Sequence, residues 1–461
     1  MQENKSEDFK LVLQPHEKPK SFGQWFILSI QHVFAMFGST VLVPIIINGL
    51  AGEEVMNSSM ALFCSGVGTL IYIALTKAKV PMYLGSSFAY MTAIGANYQA
   101  YGNSVFIAIM VAGLIYIIFG ILVYYLGTGF IEKIFPVIVI GPLIIIIGIS
   151  AAPSALENSG IMNSEGWTQN YPQWIAVIIA LFTFFTTILI TLKAKGIAKV
   201  IPVIIGICVG FLLSIIIHFS IKNSSLLDTS KITDVQNWEW YPSFKTIWKQ
   251  EASNILPAIL AISPLAIIAM AEHIGDHIAM SYITKKDFVK NPGIHKTLIA
   301  DGVSIIFDGL VGGPPNTTYG ENTAVVGMTK VASVWVLGLA AIIAIIMSFI
   351  APVNQTIAML PAPVMGGVGM IMFGFISING VRVLIANKTN YMNMRNVFIS
   401  STVLIIGVVL SVKGEMIDLG SFNLSGLGLA AISGIILNLI LPTKLNEGFW
   451  IIEWVKSKIK K

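Results

Sequence analysis

The chain has 461 residues, 55% of them hydrophobic and only 11% charged, with a mean hydropathy of +0.80 and a formal net charge of +5 at pH 7. Ordinary soluble domains carry about 25% charged residues, so these figures exclude a soluble globular protein, and disorder with it. The basic balance is no sign of nucleic acid, because the basic residues fall beside apolar runs, where membrane orientation accounts for them.

Residues 1–20 are polar and charged and lack the basic start, apolar run and small-residue cleavage site of a signal peptide. They read as a cytoplasmic tail. A helix needs about 20 apolar residues to cross a hydrocarbon core about 30 Å thick. Runs of this kind predict fourteen spans, at 23–47, 57–76, 81–98, 104–126, 135–152, 172–191, 198–218, 255–282, 294–312, 314–329, 333–352, 355–378, 396–412 and 424–441. Spans three and ten are short and carry Pro, Gly, Ser and Thr. Between spans seven and eight, 219–252 form a long loop whose Trp238, Trp240, Tyr241 and Trp248 suit a membrane interface. Residues 443–461 form a basic tail. Cys64 and Cys208 lie in apolar segments without CxxC spacing and read as small core residues, with no disulfide or metal site.

With the N-terminus in the cytoplasm, 23 of the 28 Lys and Arg fall inside and five outside, four of these in the long loop. Dropping either short segment would invert everything after it and destroy this asymmetry. Both segments are therefore expected to cross, and both termini to be cytoplasmic.

Fourteen divides into seven plus seven, and a repeat with an odd number of spans must be inverted in the membrane. Transporters use such repeats, and matching broken segments in the two halves point to the binding site. The third span holds "VPMYLGSSFAYMTA" and the tenth "PPNTTYGENTA", seven spans apart. Each starts at a proline, passes a short polar and aromatic stretch, and resumes as an apolar piece. Such backbone cannot face lipid with its N–H and C=O groups unpaired. Two short extended segments are expected near mid-membrane, each followed by a half-helix whose N-terminus offers free N–H donors.

Of 23 Asp and Glu, five fall within or at the ends of spans: Glu272, Asp276, Asp301, Asp308 and Glu321, all in spans eight to ten. An intramembrane acid costs about 2.5–3.5 kcal/mol on insertion scales and marks function by default. In "AEHIGDH", Glu272 and Asp276 share a helical face, with His273 and His277 as a second i,i+4 pair beside them. The metalloprotease order HExxH is absent. Glu272 and Asp276 are read as functional, His273 and His277 equally as functional or structural, and Asp301 and Asp308 as packing or loop-edge groups. Glu321 falls on the first turn of the half-helix in span ten, where the dipole stabilises a carboxylate. His32 in span one stands seven spans before the acidic span.

The stretches "QHVFAMFGSTVLVP", "YLGSSFAYM", "AEHIGDH", "GGPPNTTYGEN" and "PAPVMGGVGMIMFG" resemble the nucleobase–ascorbate transporter family, also called nucleobase:cation symporter-2, and within it the bacterial uracil permeases. The resemblance runs from about Ser21 to Pro442. It implies an all-α polytopic membrane protein of the bacterial cytoplasmic membrane, with fourteen transmembrane segments as a 7+7 inverted repeat. A core domain would comprise 21–128 and 255–353, and a gate domain 129–254 and 354–442. Homodimers are common in the family. The implied function is import of uracil by proton symport with no cofactor; the alternative is proton- or sodium-coupled transport of another nucleobase such as xanthine or uric acid. Carried over by residue, the Glu272 carboxylate would bond the uracil ring, and the backbone at Phe88 and Gly320 would complete the polar contacts. Tyr319 and Ser39 would line the pocket. Glu321 would anchor the site and take part in proton coupling, with Glu272, Asp276 and His32 as further candidates. Two positions depart from the pattern: Asp276 stands where some uracil permeases carry histidine, and Phe373 where a gate-domain tyrosine occurs.

The chemistry agrees independently. Uracil is planar and neutral, with two N–H donors and two C=O acceptors, so a carboxylate can accept, backbone amides can donate and Phe88 can supply an apolar wall. A neutral solute gains nothing from the membrane potential, so concentrating it needs a coupled ion, and a buried carboxylate can load and release a proton. A channel would need rings of like groups. An anion exchanger would need a cationic site, yet Lys199 and Lys296 stand at the ends of their spans and no Lys or Arg falls in a span's interior. An intramembrane enzyme lacks a metal set or nucleophile motif.

Overall fold

The computed structural model describes residues 11–127, 136–162, 171–195, 198, 201–221, 226–227, 238, 240–244, 252–413, 416–418 and 423–442. Most of the long loop, Trp248 included, and the basic tail lie outside them. The protein is an α-helical, multi-span membrane protein. Among the described residues nine helical segments are long and apolar enough to cross a bilayer, or ten with one bent pair.

The first half begins with α1 (Phe22–Ala51), whose N-cap Ser21 accepts from the Gln24 amide at 3.3 Å. Its 30 residues extend about 45 Å, more than a hydrocarbon core. Next come α2 (Ser58–Leu75), strand β1 (Leu84–Ser86), a 3₁₀ turn (Phe88–Tyr90), the short α3 (Met91–Tyr101) and α4 (Ser104–Leu126). Then follow α5 (Val137–Asn158), α6 (Gln173–Lys193) and α7 (Pro202–Ser220). The second half runs through α8 (Ala252–Ile262), α9 (Ala266–Thr284), α10 (Ile294–Val311), β2 (Asn316–Thr318), α11 (Gly320–Thr329) and α12 (Val334–Ser348). It closes with α13 (Ala351–Ala358), α14 (Ala362–Ala386), α15 (Met394–Lys413), strands β3 (Met416–Asp418) and β4 (Asn423–Ser425), and α16 (Gly426–Ile440).

Two expected boundaries move. Span eight is broken by a 3₁₀ turn, Ser263–Leu265, because Pro264 gives up a backbone donor there. Span twelve starts at Ala362 rather than 355: residues 351–358 form the separate helix α13, bent 80° from α12, and prolines at 352, 361 and 363 restart the chain twice. Cys64 is buried as expected, but Cys208 is exposed on α7, on a surface whose neighbours in sequence are apolar.

The helices pack in exchanging pairs: α4 lies along α10 and α2 along α12, while α5 lies along α14 with α15 and α6 beside them. Small residues allow this closeness. A Cβ on Gly113 of α4 would stand 2.5 Å from the Gly302 carbonyl of α10, and one on Gly66 of α2 would stand 2.5 Å from the Ala341 carbonyl of α12.

Residues 11–18 are not free. Val12 N–H donates to the Lys330 carbonyl at 2.8 Å, and Leu13 pairs in parallel with Val331. Val334 N–H donates to the Pro15 carbonyl at 2.9 Å, and Lys18 sits over the Trp335 ring. The segment thus ties the α11–α12 junction. Leu11 buries itself beside Tyr72, Met82 and Val326.

Candidate functional site

Both extended segments exist, and they meet. β1 and β2 pair antiparallel, Leu84 opposite Thr318, Gly85 opposite Thr317 and Ser86 opposite Asn316. The ladder continues through Ser87 N–H to the Pro315 carbonyl at 2.8 Å and Tyr319 N–H to the Tyr83 carbonyl at 3.0 Å. Each strand therefore satisfies in the other the backbone groups that lipid would strand.

The preceding helices clamp the strands. From α2, Ser65 Oγ donates to the Leu84 carbonyl at 2.7 Å, and Thr69 Oγ1 accepts from Leu84 N–H at 2.9 Å. From α10, the Asp308 carboxylate accepts from Asn316 N–H at 2.9 Å and from Asn316 Nδ2 at 3.0 Å. Asp308 is fully buried, and both its carboxylate oxygens hold Asn316 at the start of β2. Tyr319 crosses the pair: its hydroxyl donates to the Ser86 carbonyl at 3.0 Å and accepts from Thr40 Oγ1 at 3.2 Å. The ring fills the space over Gly85, where a Cβ would stand 2.4 Å from it. Its hydroxyl is therefore committed to the strand pair rather than presented to a solute.

The two half-helices α3 and α11 start where the strands end. Gly320 opens α11, and Glu321 sits in its first turn. Glu321 Oε1 accepts from Ser39 Oγ of α1 at 2.7 Å, so Ser39 orients the carboxylate. Asp276 Oδ2 accepts from Thr318 Oγ1 at 2.7 Å, which ties α9 to β2. Asp276 Oδ1 lies close to Gly320, 3.6 Å from where a Cβ would be. Glu272, one turn earlier on the same face, is half-buried and close enough to Asp276 and Glu321 for mutual repulsion. Among the described residues its carboxylate makes no hydrogen bond, and no Lys or Arg pairs with any of these acids. Phe88 lies at the start of its 3₁₀ turn, 7% exposed, with its ring edge-on to Phe373 at 6.1 Å between centroids. The structure thus gathers Glu272, Asp276, Gly320 and Glu321 around two half-helix starts, with Ser39 behind. An apolar cleft of about 280 Å³ between α5 and α14 also reaches Phe373, but it holds none of the acids.

His32 is elsewhere. It is buried in α1, where its Nδ1 and its carbonyl face the Asn322 amide at 3.2 and 3.0 Å. Among the described residues it makes no hydrogen bond to a carboxylate. Among the described residues, His273 and His277 make their hydrogen bonds to groups other than Glu272 and Asp276. His273 Nδ1 is 2.9 Å from Asp301 Oδ2, and its Nε2 is 3.0 Å from Thr297 Oγ1. His277 Nδ1 donates to the His273 carbonyl at 2.7 Å, so in the neutral ring Nε2 accepts from the Tyr72 hydroxyl at 2.6 Å. Asp301 is paired, not idle, a role that helical spacing within one span cannot show. Asn316, Thr318 and Asn322, which the sequence reading does not single out, also hold the site. Their signal was in view: three polar side chains inside one broken apolar segment.

The sequence profile of the Permease family (Xan_ur_permease) matches residues 23–416. The chain belongs to this family. It is a membrane permease, a transporter and not an enzyme. The permease is 38% identical over 442 residues to the uracil permease of Bacillus subtilis (strain 168), covering 95% of this chain and 97% of that one. It is 36% identical over 413 residues to the uracil permease of Escherichia coli (strain K12), covering 90% of each. Among solved structures, the transmembrane domain of a cyanobacterial bicarbonate transporter, BicA, shares its fold at a TM-score of 0.60 and 13% identity, over 90% of this permease and 99% of that chain.

Proposed function

We propose that the permease imports uracil by proton symport. The observation that carries this is the Glu272 carboxylate: half-buried, without a hydrogen-bond partner among the described residues, and facing half-helix starts. A solute that excludes water from this carboxylate must replace the lost hydrogen bond, and a ring N–H would do so. The backbone at Phe88 and Gly320 donates to ring carbonyls, and the Phe88 ring walls the pocket. The names of the relatives favour uracil.

In this reading β1–α3 and β2–α11 each complete a crossing. Together with α10 and α16 they raise the ten candidate spans to fourteen, arranged as seven plus seven in inverted orientation. The exchanging pairs α2–α12 and α4–α10 support it. α1–α4 with α8–α12 form a core that carries the site, and α5–α7 with α14–α16 form a gate. Alternating access moves one against the other. Both termini are cytoplasmic, and the permease works as a homodimer in a bacterial cytoplasmic membrane. Reporter fusions after residue 10 and after residue 461 are expected to read cytoplasmic; opposite sides would mean that one broken segment does not cross.

The deciding experiment is uptake of labelled uracil into cells that lack their own carriers, with unlabelled uracil, thymine, xanthine and uric acid as competitors. Saturable uptake blocked by uracil and weakly by the purines is expected. Competition by xanthine or uric acid above uracil would assign the site to the larger ring. Proton coupling is read separately, from accumulation under an imposed pH gradient.

A further inference from the structure

Behind Glu272 lies a second polar cluster that binding of a planar base does not use. Four atoms there are wholly buried and have no hydrogen-bond partner among the described residues: the Tyr90 hydroxyl, the Tyr116 hydroxyl, Thr317 Oγ1 and Asp301 Oδ1. They come from four elements: the turn before α3, then α4, β2 and α10. They are neighbours. A Cβ on Gly302, next to Asp301, would stand 2.8 Å from Tyr116 Cβ. The Tyr116 ring is edge-on to His273 at 6.3 Å between centroids, and His273 meets Asp301 at 2.9 Å. Tyr90 packs in the same buried cluster as Tyr116, and Thr317 follows Asn316, whose Nδ2 meets Ser304 Oγ of α10 at 3.2 Å. Nearly all buried polar groups in folded proteins find a partner, and four orphans at one place describe a site for water. Three hydroxyls and a carboxylate oxygen supply the two to four polar partners a buried water requires.

The cluster continues on its far side. Asp301 Oδ2 meets His273 Nδ1 at 2.9 Å, and His273 Nε2 meets Thr297 Oγ1 at 3.0 Å. Thr297 lies in the first turn of α10, beside His295 and Lys296. Its single hydroxyl proton goes to Nε2 while the neutral ring donates from Nδ1 to the Asp301 carboxylate, and turns to the Ile294 carbonyl, 2.9 Å away, once Nε2 carries a proton. A line of polar atoms therefore leads from the Glu272 carboxylate toward that end of the helix.

We propose that Asp301 and His273 form a second proton-holding site, joined to Glu272 by water held among Tyr90, Tyr116 and Thr317. The inference deepens the proton-symport reading and rests on it. In the step, the O–H bond of protonated Glu272 breaks and its proton passes to the bridging water. The water gives up one of its own protons to the Asp301–His273 pair. Glu272 is left as a carboxylate, ready to accept the ring N–H. The pair goes from carboxylate with neutral imidazole, net charge minus one, to neutral. Atoms and charge balance, and nothing beyond water is consumed. His273 of α9 contacts Asp301, with His277 stacked on His273 at 4.1 Å; the other titratable groups near enough to feel its charge are Glu272 and Asp276 of α9, Tyr72 of α2, Tyr90, Tyr116 of α4 and Asp308 of α10 itself. No basic side chain among the described residues neutralises the pair, so a proton is the available counter-charge.

The test uses the full-length permease in proteoliposomes. One coupled proton supports about tenfold accumulation of uracil per pH unit of gradient. Asp301→Asn is expected to bring the accumulation ratio to about one while uracil counterflow without a gradient persists. Should that variant not fold, the pair Tyr90→Phe and Tyr116→Phe keeps both rings and removes two hydroxyls. It is expected to slow gradient-driven uptake by about tenfold or more, with a larger slowing in D₂O than the parent shows. A coupled parent whose Asn variant, or Phe pair, accumulates uracil at the parental ratio and rate overturns this inference alone. A parent that binds uracil and ignores the gradient overturns the coupling reading with it.

Discussion

Glu272→Gln is expected to weaken uracil binding by about 1.5–3 kcal/mol, the worth of a hydrogen bond to a charged group, or roughly tenfold to 150-fold in Kd. The reason lies in the free state of the site. The carboxylate has no partner to lose among the described residues, so its full accepting capacity is open to a ring N–H. An amide offers one accepting oxygen and a nitrogen that donates, and a donor facing a donor repels. The substitution is close to isosteric, and α9 needs no bond from this side chain. Titration calorimetry on the purified permease reads the effect directly. An unchanged Kd would end the role given to Glu272 and turn attention to Asp276, whose Oδ2 is already engaged by Thr318.

Glu321→Gln is expected to separate transport from coupling. The side chain sits in the first turn of α11 and accepts from Ser39 at 2.7 Å. A glutamine oxygen can take the same bond, so the half-helix should stay in place. An ionised carboxylate at this point faces Glu272 and Asp276 with no Lys or Arg paired to it among the described residues. Carrying that charge through the hydrocarbon region costs about 2.5–3.5 kcal/mol on insertion scales, and a proton removes the cost. The amide imitates the protonated state and cannot release it. In proteoliposomes with an imposed pH gradient, accumulation of uracil should vanish while counterflow exchange continues. A variant that concentrates uracil like its parent would make Glu321 a structural anchor held by Ser39, and would leave the proton to the other acids.

The two variants read different halves of one cluster. Glu272 is open toward the solute, whereas Glu321 and Asp276 are each held by one hydroxyl from another element, Ser39 of α1 and Thr318 of β2. That division gives Glu272 the direct contact with the solute, while the protons of both Glu272 and Glu321 bear on coupling. It also predicts their order of sensitivity: the Glu272 variant acts first on affinity, the Glu321 variant on accumulation.

Much of this was legible in the chain itself. Twenty apolar residues in a row can only be a buried or membrane helix, so composition determined the class. The matched breaks at 80–93 and 314–324 determined that backbone must leave the helix at two related places, because proline removes a donor and lipid cannot replace it. The expense of a charge in hydrocarbon singled out Glu272, Asp276 and Glu321. What spacing could not supply was partnership between segments far apart in sequence. Only the tertiary structure decided that the two breaks pair with each other, Gly85 against Thr317, and that Tyr319 locks them rather than facing a solute. Only packing showed that Asp301, read as a packing or loop-edge group, meets His273 across two helices, and that His32 meets Asn322 instead of an acid. It also put Cys208 on an exposed face and broke span eight at Pro264. The reason is the same in each case. Helical periodicity states which residues share a face of one element, but a hydrogen bond between elements depends on where the chain returns, and that is set by the sum of all the packing contacts.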